Sequence, residues 1–205
     1  MAQYDNFAKT FSQSRKNMHW QDLDEIIDDI KVNNFKSVLD IGCGSGRFLD
    51  MCKKKNFTPH YLGVDASAGM IQEAQKNHPN ADFVITPMQN ISENIGGKFD
   101  AIIFIASFHH LETEKLRHQV LKNIKNFLAP NRKIYMTNWN LREQEKYQKS
   151  QTSDGEFQIK IGQFSRYYHG FTLQELESLF MQNDLKIEKN TRSENGYNLV
   201  SWVGN

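Results

Sequence analysis

The segment Val38-Leu39-Asp40-Ile41-Gly42-Cys43-Gly44-Ser45-Gly46 restricts this chain more than any other. A short β run, Ser37–Ile41, meets three glycines at alternate positions, and a helical stretch, Gly46–Lys55, follows at once. Glycine takes positive φ without a Cβ penalty and lets a ligand approach the backbone closely. In an open α/β sheet such a turn lies at the carboxyl end of a strand, where ligands bind. A second acid, Asp65, ends the next β run, Tyr61–Asp65. A carboxylate there is placed to accept hydrogen bonds from both hydroxyls of a ribose. A glycine turn by itself is also compatible with a ligand-free strand–helix connection. The conjunction of strand, turn, helix and strand-terminal Asp points to a nucleoside site.

The rest of the chain repeats that alternation. Leu23, Ile26, Ile27 and Ile30 predict a helix over Gln21–Lys31. Ser67–Asn77 reads as a helix with Ser67 as N-cap, and Asp82–Thr86 as a strand stopped by Pro87. Phe99–Ala106, F-D-A-I-I-F-I-A, is almost continuously apolar, which suits a central strand buried on both faces. A helix over Thr113–Leu128 carries Leu116, Val120, Leu121, Ile124 and Leu128 on one face, and a strand over Lys133–Trp139 follows. Thr172–Gln182 is a helix opened by Thr172 and Glu175, a T-x-x-E capping box. Leu185–Thr191 and Asn198–Gly204 are two closing strands, with Glu194-Asn195-Gly196 as the turn between them. Strands alternating with helices argue for a mostly parallel sheet covered on both faces. Arg142–Gly170 breaks the pattern: it is polar, holds several aromatic residues and reads as irregular. A long insert in a compact domain is a candidate lid or substrate loop.

A length of 205 residues suits one domain. The net charge of +1 neither demands nor excludes a nucleic-acid partner. Lys53-Lys54-Lys55 and Arg132-Lys133 are local basic clusters of the kind that usually end solvated helices and strands. No stretch approaches the apolar length of a membrane span, and Met1–Trp20 is polar with no secretory h-region. Cys43 and Cys52 have no second pair to complete a metal site. A reduced, cytoplasmic protein without a bound metal is the simplest expectation.

Spacing separates the candidate cofactors. Dinucleotide sites want G-x-G-x-x-G. Here the third glycine comes one residue early, and Asp40 precedes the first. D-x-G-x-G-x-G followed by Y-L-G-V-D-A-S resembles the nucleoside-binding half of class I S-adenosylmethionine methyltransferases, and the resemblance spans nearly the whole chain. It implies an α/β, Rossmann-like fold: a seven-stranded, mostly parallel sheet with an antiparallel last strand, helices on both faces, and one methyltransferase domain over 1–205. It implies S-adenosyl-L-methionine as cofactor. The implied binding residues are Tyr4, Asp40, Gly42, Cys43, Gly44, Gly46, Asp65, Ala66, Met88, Gln89 and Ala106, with the loop holding the methionine part and Asp65 the ribose. The family often has an acid after the third strand, near the adenine amine. Pro87 stands about there in this chain, so Gln89 or Asn90 is the expected substitute acceptor.

The acceptor side begins with Ala106-Ser107-Phe108-His109-His110-Leu111, at the carboxyl edge of the sheet. Imidazole titrates near neutrality, so the histidine pair is a candidate general base; it could also orient an acceptor, line the cofactor rim or simply pack the loop. Phe11-Ser12-Gln13-Ser14-Arg15, the histidine pair and Arg166-Tyr167-Tyr168-His169 resemble one branch of the family, the tRNA wobble-uridine methyltransferases, which esterify a carboxymethyl group on the base. That branch implies tRNA as partner and Arg15, Arg166, His109 and His110 as catalytic candidates. A carboxylate acceptor is already anionic, so those groups need only hold it in line and balance its charge. Tyr167, Tyr168 and His169 could stack a flipped base or seal a lid. Eukaryotic members of the branch pair with a small zinc-binding activator protein, whose contact is expected near the third-strand edge. Many small-molecule methyltransferases carry similar elements, so a quinone precursor, a phenol or an organic acid is the alternative acceptor. A non-catalytic cofactor-binding subunit is the third reading.

Overall fold

In chain order the elements are α1 (Gln21–Val32), β1 (Ser37–Ile41), α2 (Arg47–Lys54), β2 (His60–Asp65), α3 (Ala68–Asn77), β3 (Asp82–Ile85), a 3-10 turn (Met88–Glu93), β4 (Phe99–Ile105), a second 3-10 turn (Phe108–His110), α4 (Glu114–Lys125), β5 (Leu128–Trp139), α5 (Glu145–Gln148), β6 (Gln151–Ser153), β7 (Glu156–Ile161), β8 (Phe164–His169), α6 (Leu173–Gln182), β9 (Lys186–Arg192) and β10 (Asn198–Gly204). The structure, a computed structural model, describes residues 21–161 and 164–205. Tyr4 and Arg15, both named above, lie outside the described residues.

The seven-stranded sheet has the order β3-β2-β1-β4-β5-β10-β9. β3, β2, β1, β4 and β5 run parallel. β10 is antiparallel to both β5 and β9, so the last strand is inserted between its predecessor and the body of the sheet. β4 is central, and its apolar run divides between the two faces. Ala101 and Ile103 pack with Leu23, Ile26, Ile27 and Ile30 of α1. Ile102 and Phe104 pack with Val120, Leu121 and Ile124 of α4 and Leu176 and Phe180 of α6. All of these side chains are buried, and at about 25 cal/mol per Å² of apolar area their removal from water dominates the fold's stability.

Local signals set the helix boundaries. Ser67 Oγ accepts from Met70 N, Thr113 Oγ1 from Leu116 N and Thr172 Oγ1 from Glu175 N, each satisfying one N–H that the first helical turn leaves open. α4 ends at Lys125, earlier than expected, because Leu128 is recruited as the first residue of β5, where it pairs with Phe99.

The insert corrects the sequence reading. Arg142–Gly170 is not irregular: β6, β7 and β8 form a second, antiparallel three-stranded sheet, preceded by the short helix α5. Phe157, Ile159 and Tyr168 point to one face and pack with Leu141, Trp139 and Tyr147. Arg142 clamps the base of this sheet, with Nε donating to the Gly170 carbonyl at 2.6 Å and Nη1 paired to Asp154 at 2.7 Å. Among the described residues no helix is long and apolar enough to cross a membrane.

Candidate active site

The glycine turn leaves β1 and enters α2 with Gly42, Gly44 and Gly46 all at positive φ. Their reasons differ. A Cβ on Gly42 would stand 2.4 Å from Ser107 Cβ, so this glycine admits the end of β4, whose Ser107 Oγ donates to the Ile41 carbonyl at 2.6 Å. Nothing lies within 4 Å of a Cβ built on Gly44, so this glycine fronts open space. Gly46 is the N-cap of α2 and packs against His78.

Asp65 at the end of β2 is held by two backbone donors. Gly44 N donates to Oδ2 and Ser67 N to Oδ1, both at 2.9 Å. Each oxygen keeps lone-pair capacity for a further donor such as a ribose hydroxyl. Ala66, half-buried, continues the same rim. Asp40 sits one layer below. It is 2% exposed, and Oδ2 accepts from the Tyr61 hydroxyl at 2.8 Å. Oδ1 is buried and makes no hydrogen bond. Burial pushes the Asp40 carboxyl up to about 7; the Tyr61 bond partly opposes the rise, and the charge of Asp65 adds to it. Cys43 is turned inward, its thiol close to Gly63 and pushed well above the usual thiol range by burial. Its side chain therefore packs, and its N–H already serves the Val64 carbonyl.

Met88 packs on the core, and the carbonyl of Gln89 takes the side-chain amides of Asn123 and Gln119 at 3.4 and 3.5 Å. Those bonds fix the 3-10 turn to α4 while leaving the Gln89 side chain half-buried and Asn90 exposed. Ala106 stands at φ +51, an uncommon state for a residue with a Cβ, and Thr137 anchors its N–H through both carbonyl and hydroxyl at 3.0 Å. That kink turns the chain into the histidine pair.

The two histidines are neighbours with opposite bonding. His109 Nδ1 accepts from Trp139 N at 3.1 Å, so the proton of its neutral ring is on Nε2, which is buried without a hydrogen bond. His110 Nδ1 lies 3.0 Å from the Tyr167 carbonyl, which can only accept, so the proton is on Nδ1 and Nε2 carries a bare lone pair. Burial drives His109 well below its ordinary range, with His110 and His169 adding to the fall and the Ala106 backbone opposing it. Burial lowers His110 to about 4, against the favourable Tyr167 bond. Both rings are neutral at pH 7. Neither titrates near neutrality, and neither supplies the cation that the sequence reading allowed.

Arg166 does. Side chains alternate along β8, so Arg166 and Tyr168 share the face that carries Ile159 and Phe157 on β7. That face packs toward the body, and the Arg166 guanidinium stands 5.9 Å over the Tyr168 ring. Burial lowers it only to about 10, so it stays charged. The Tyr168 ring in turn lies 5.1 Å from His109 and 4.5 Å from His110. His169 points the other way, between Glu156 Oε1 at 3.0 Å and Glu175 Oε1 at 2.6 Å, and ties the insert to α6.

Sequence reasoning missed Asn138. It is fully buried next to the His109 anchor, and neither amide atom has a partner. A polar residue inside the strand I-Y-M-T-N-W was the available signal.

Residues 38–131 match the family described as a methyltransferase domain. The chain is 27% identical over 150 residues to the mouse (Mus musculus) tRNA (carboxymethyluridine(34)-5-O)-methyltransferase ALKBH8, covering 72% of this chain and 21% of that one. It is 26% identical over 141 residues to the Saccharomyces cerevisiae tRNA (carboxymethyluridine(34)-5-O)-methyltransferase, covering 68% of this chain and 47% of that one. The chain thus spans between a fifth and a half of the length of these relatives. The crystal structure of an S-adenosylmethionine-dependent methyltransferase from Clostridium acetobutylicum superposes with a TM-score of 0.75 at 17% identity, over 98% of both chains. Residues 38–131, which hold the glycine turn and Asp65, thus match a methyltransferase domain, and the chain has the fold of S-adenosylmethionine-dependent methyltransferases and resembles the tRNA carboxymethyluridine branch.

Proposed function

We propose that this chain esterifies the carboxylate of a carboxymethyl-modified wobble uridine in tRNA. One observation carries the reading: the acceptor side offers a half-buried cation, Arg166, and a buried N–H, His109 Nε2, but no base of useful strength. A carboxylate wants such a site, because it arrives deprotonated and needs charge balance and alignment. The names of the mouse and yeast relatives support the same acceptor.

The residues present fit the cofactor. Asp40 Oδ1 is an unpaired buried acceptor under the turn, Gly44 leaves room above it, and Asp65 is oriented for a ribose. When bound, S-adenosylmethionine supplies a methyl group on a sulfonium centre. Asp40 and the turn would hold the methionine end and Asp65 the ribose. Arg166 would pair with the acceptor carboxylate, and His109 Nε2–H would hold one oxygen so that the other is free to take the methyl. The bond formed is carbon to carboxylate oxygen, and the bond broken leaves its electron pair on sulfur, so no proton moves. Trp139 and Tyr168, stacked at 5.1 Å, would form one wall of this space.

The activator protein belongs to the same proposal. β3 pairs only with β2 among the described residues, and Ile85 on it is 54% exposed, as an edge that accepts a partner strand would be.

The test is incubation with methyl-labelled S-adenosylmethionine and tRNA that carries carboxymethyluridine, followed by mild base. The expected result is label on tRNA that leaves as methanol. Label that survives base places the methyl on another atom and overturns the ester reading. Labelling of small organic acids but not of tRNA overturns the tRNA reading.

A further inference from the structure

We infer that the surface patch formed by exposed Tyr197 and Lys146 on half-buried Tyr147 is a second RNA contact, which holds a nucleotide flanking the one that enters the site. This deepens the tRNA reading and rests on it. The observation is a run of ring contacts that starts at the histidine pair and ends at the surface. Trp139 is stacked with Tyr168 at 5.1 Å and 17°, and with Tyr147 at 5.8 Å and 18°. Lys146 Nζ then lies 4.7 Å over the Tyr147 ring and 5.0 Å over the Tyr197 ring. Exposure rises along the run, from Tyr168 at 2% to Tyr197 at 56%.

Each part has the chemistry of a single-strand contact. Every base has a π-face, so an exposed tyrosine stacks bases with little sequence preference. Lys146 covers one face of Tyr197, and the exposure of the ring leaves the other to solvent. Cation–π contact on both sides holds the ammonium at the surface, where a phosphate oxygen can reach it. The nearby Glu143 carboxylate is neutralised by Arg192 and does not repel a backbone phosphate. Tyr197 sits in the turn between β9 and β10, and Lys146 on α5 at the start of the insert. The patch therefore bridges the two elements that border the acceptor side, and a strand lying on it leads into the Trp139–Tyr168 wall.

The experiment compares two acceptors, the 5-carboxymethyluridine nucleoside and an anticodon stem-loop RNA carrying it, in the wild type, Tyr197→Ala, Tyr197→Phe and Lys146→Ala. Stacking and phosphate contacts of this kind predict about a tenfold rise in the KM for RNA in Tyr197→Ala, with kcat and the nucleoside KM unchanged. Tyr197→Phe restores the RNA KM. Lys146→Ala lowers the slope of log KM against log salt by about 1. Equal losses on nucleoside and RNA mean a structural staple and overturn the inference, as does an unchanged RNA KM in both alanine variants. Wild-type protein that methylates the nucleoside but not the RNA also overturns it. Wild-type protein inert on both acceptors, yet active on another, sinks the acceptor reading itself.

Discussion

Replacing Asp40 by Asn separates the cost of the site from its use. An aspartate in an unfolded chain titrates near 3.9, and Asp40 in the folded protein near about 7. Below pH 4 both states hold the proton. Between pH 4 and 7 the folded state keeps a proton that the unfolded state has released, so stability falls as pH rises through this window and stays low above it. About 3 pK units correspond to roughly 4 kcal/mol at pH 8. The asparagine keeps an acceptor for the Tyr61 hydroxyl but leaves its amide N–H groups without a partner, which costs about 1–3 kcal/mol. The net gain at pH 8 is about 1–3 kcal/mol, or about 2–4 °C in Tm per kcal/mol for a chain of this size. At pH 5 only about one unit of the shift has been spent, and the gain vanishes. The assay is thermal unfolding of the cofactor-free variant and parent at pH 5 and pH 8, followed by circular dichroism. Cofactor affinity should move the opposite way. Calorimetry at pH 8 should show S-adenosylmethionine binding at least tenfold weaker, because the unpaired Oδ1 has lost its charge. Wild-type binding should tighten as pH rises through 7. Equal Tm differences at the two pH values would refute the reasoning.

Arg166→Gln should lower kcat/KM for a carboxylate acceptor tenfold or more while the S-adenosylmethionine Kd stays constant, as separate turnover and binding titrations would check. Asn138→Val removes two unpaired buried amide atoms and should stabilise the chain by about 1–2 kcal/mol in urea melts. A raised acceptor KM in that variant would instead place the amide in the acceptor pocket. Gly44→Ala and Gly42→Ala should part company. The first puts a methyl group into open space at φ +56 and should weaken cofactor binding with a modest loss of Tm; the second collides with Ser107 and should show as gross destabilisation.

The glycine turn and β4 were legible because each rests on a local rule: three glycines after a strand, and an apolar run that only a doubly covered strand can bury. The T-x-x-E box was also legible, since Thr172 caps α6, but the second use of its glutamate was not. Glu175 is bound both by His169, from β8, and by the Thr172 backbone, and the first partner arrives from a sheet that the insert's polar sequence does not announce. The alternation Phe157-Gln158-Ile159-Lys160-Ile161 was visible, yet its period was masked by the polar residues around it. The placement of Asp40 depends on Tyr61, brought near it by the β1–β2 register, and no spacing rule within one segment reports that. Open space at Gly44 but not at Gly42 is likewise a property of what β4 brings alongside.

The histidine pair shows how far partners decide chemistry. From the sequence alone the pair is a base candidate for any acceptor. In the fold, Trp139 N–H and the Tyr167 carbonyl assign the protons, and burial sets the strength. A phenol acceptor, with a pKa near 10, would have to give its proton to an imidazole near 4, a transfer uphill by roughly 8 kcal/mol. A carboxylate asks for no transfer. The partial burial that weakens His110 as a base also strengthens the charge interactions of Arg166, because both follow from a lowered local dielectric beside the insert. A site that repels protons and keeps a guanidinium is therefore selective before any shape is considered: it penalises acceptors that must ionise on arrival and favours those that arrive as anions.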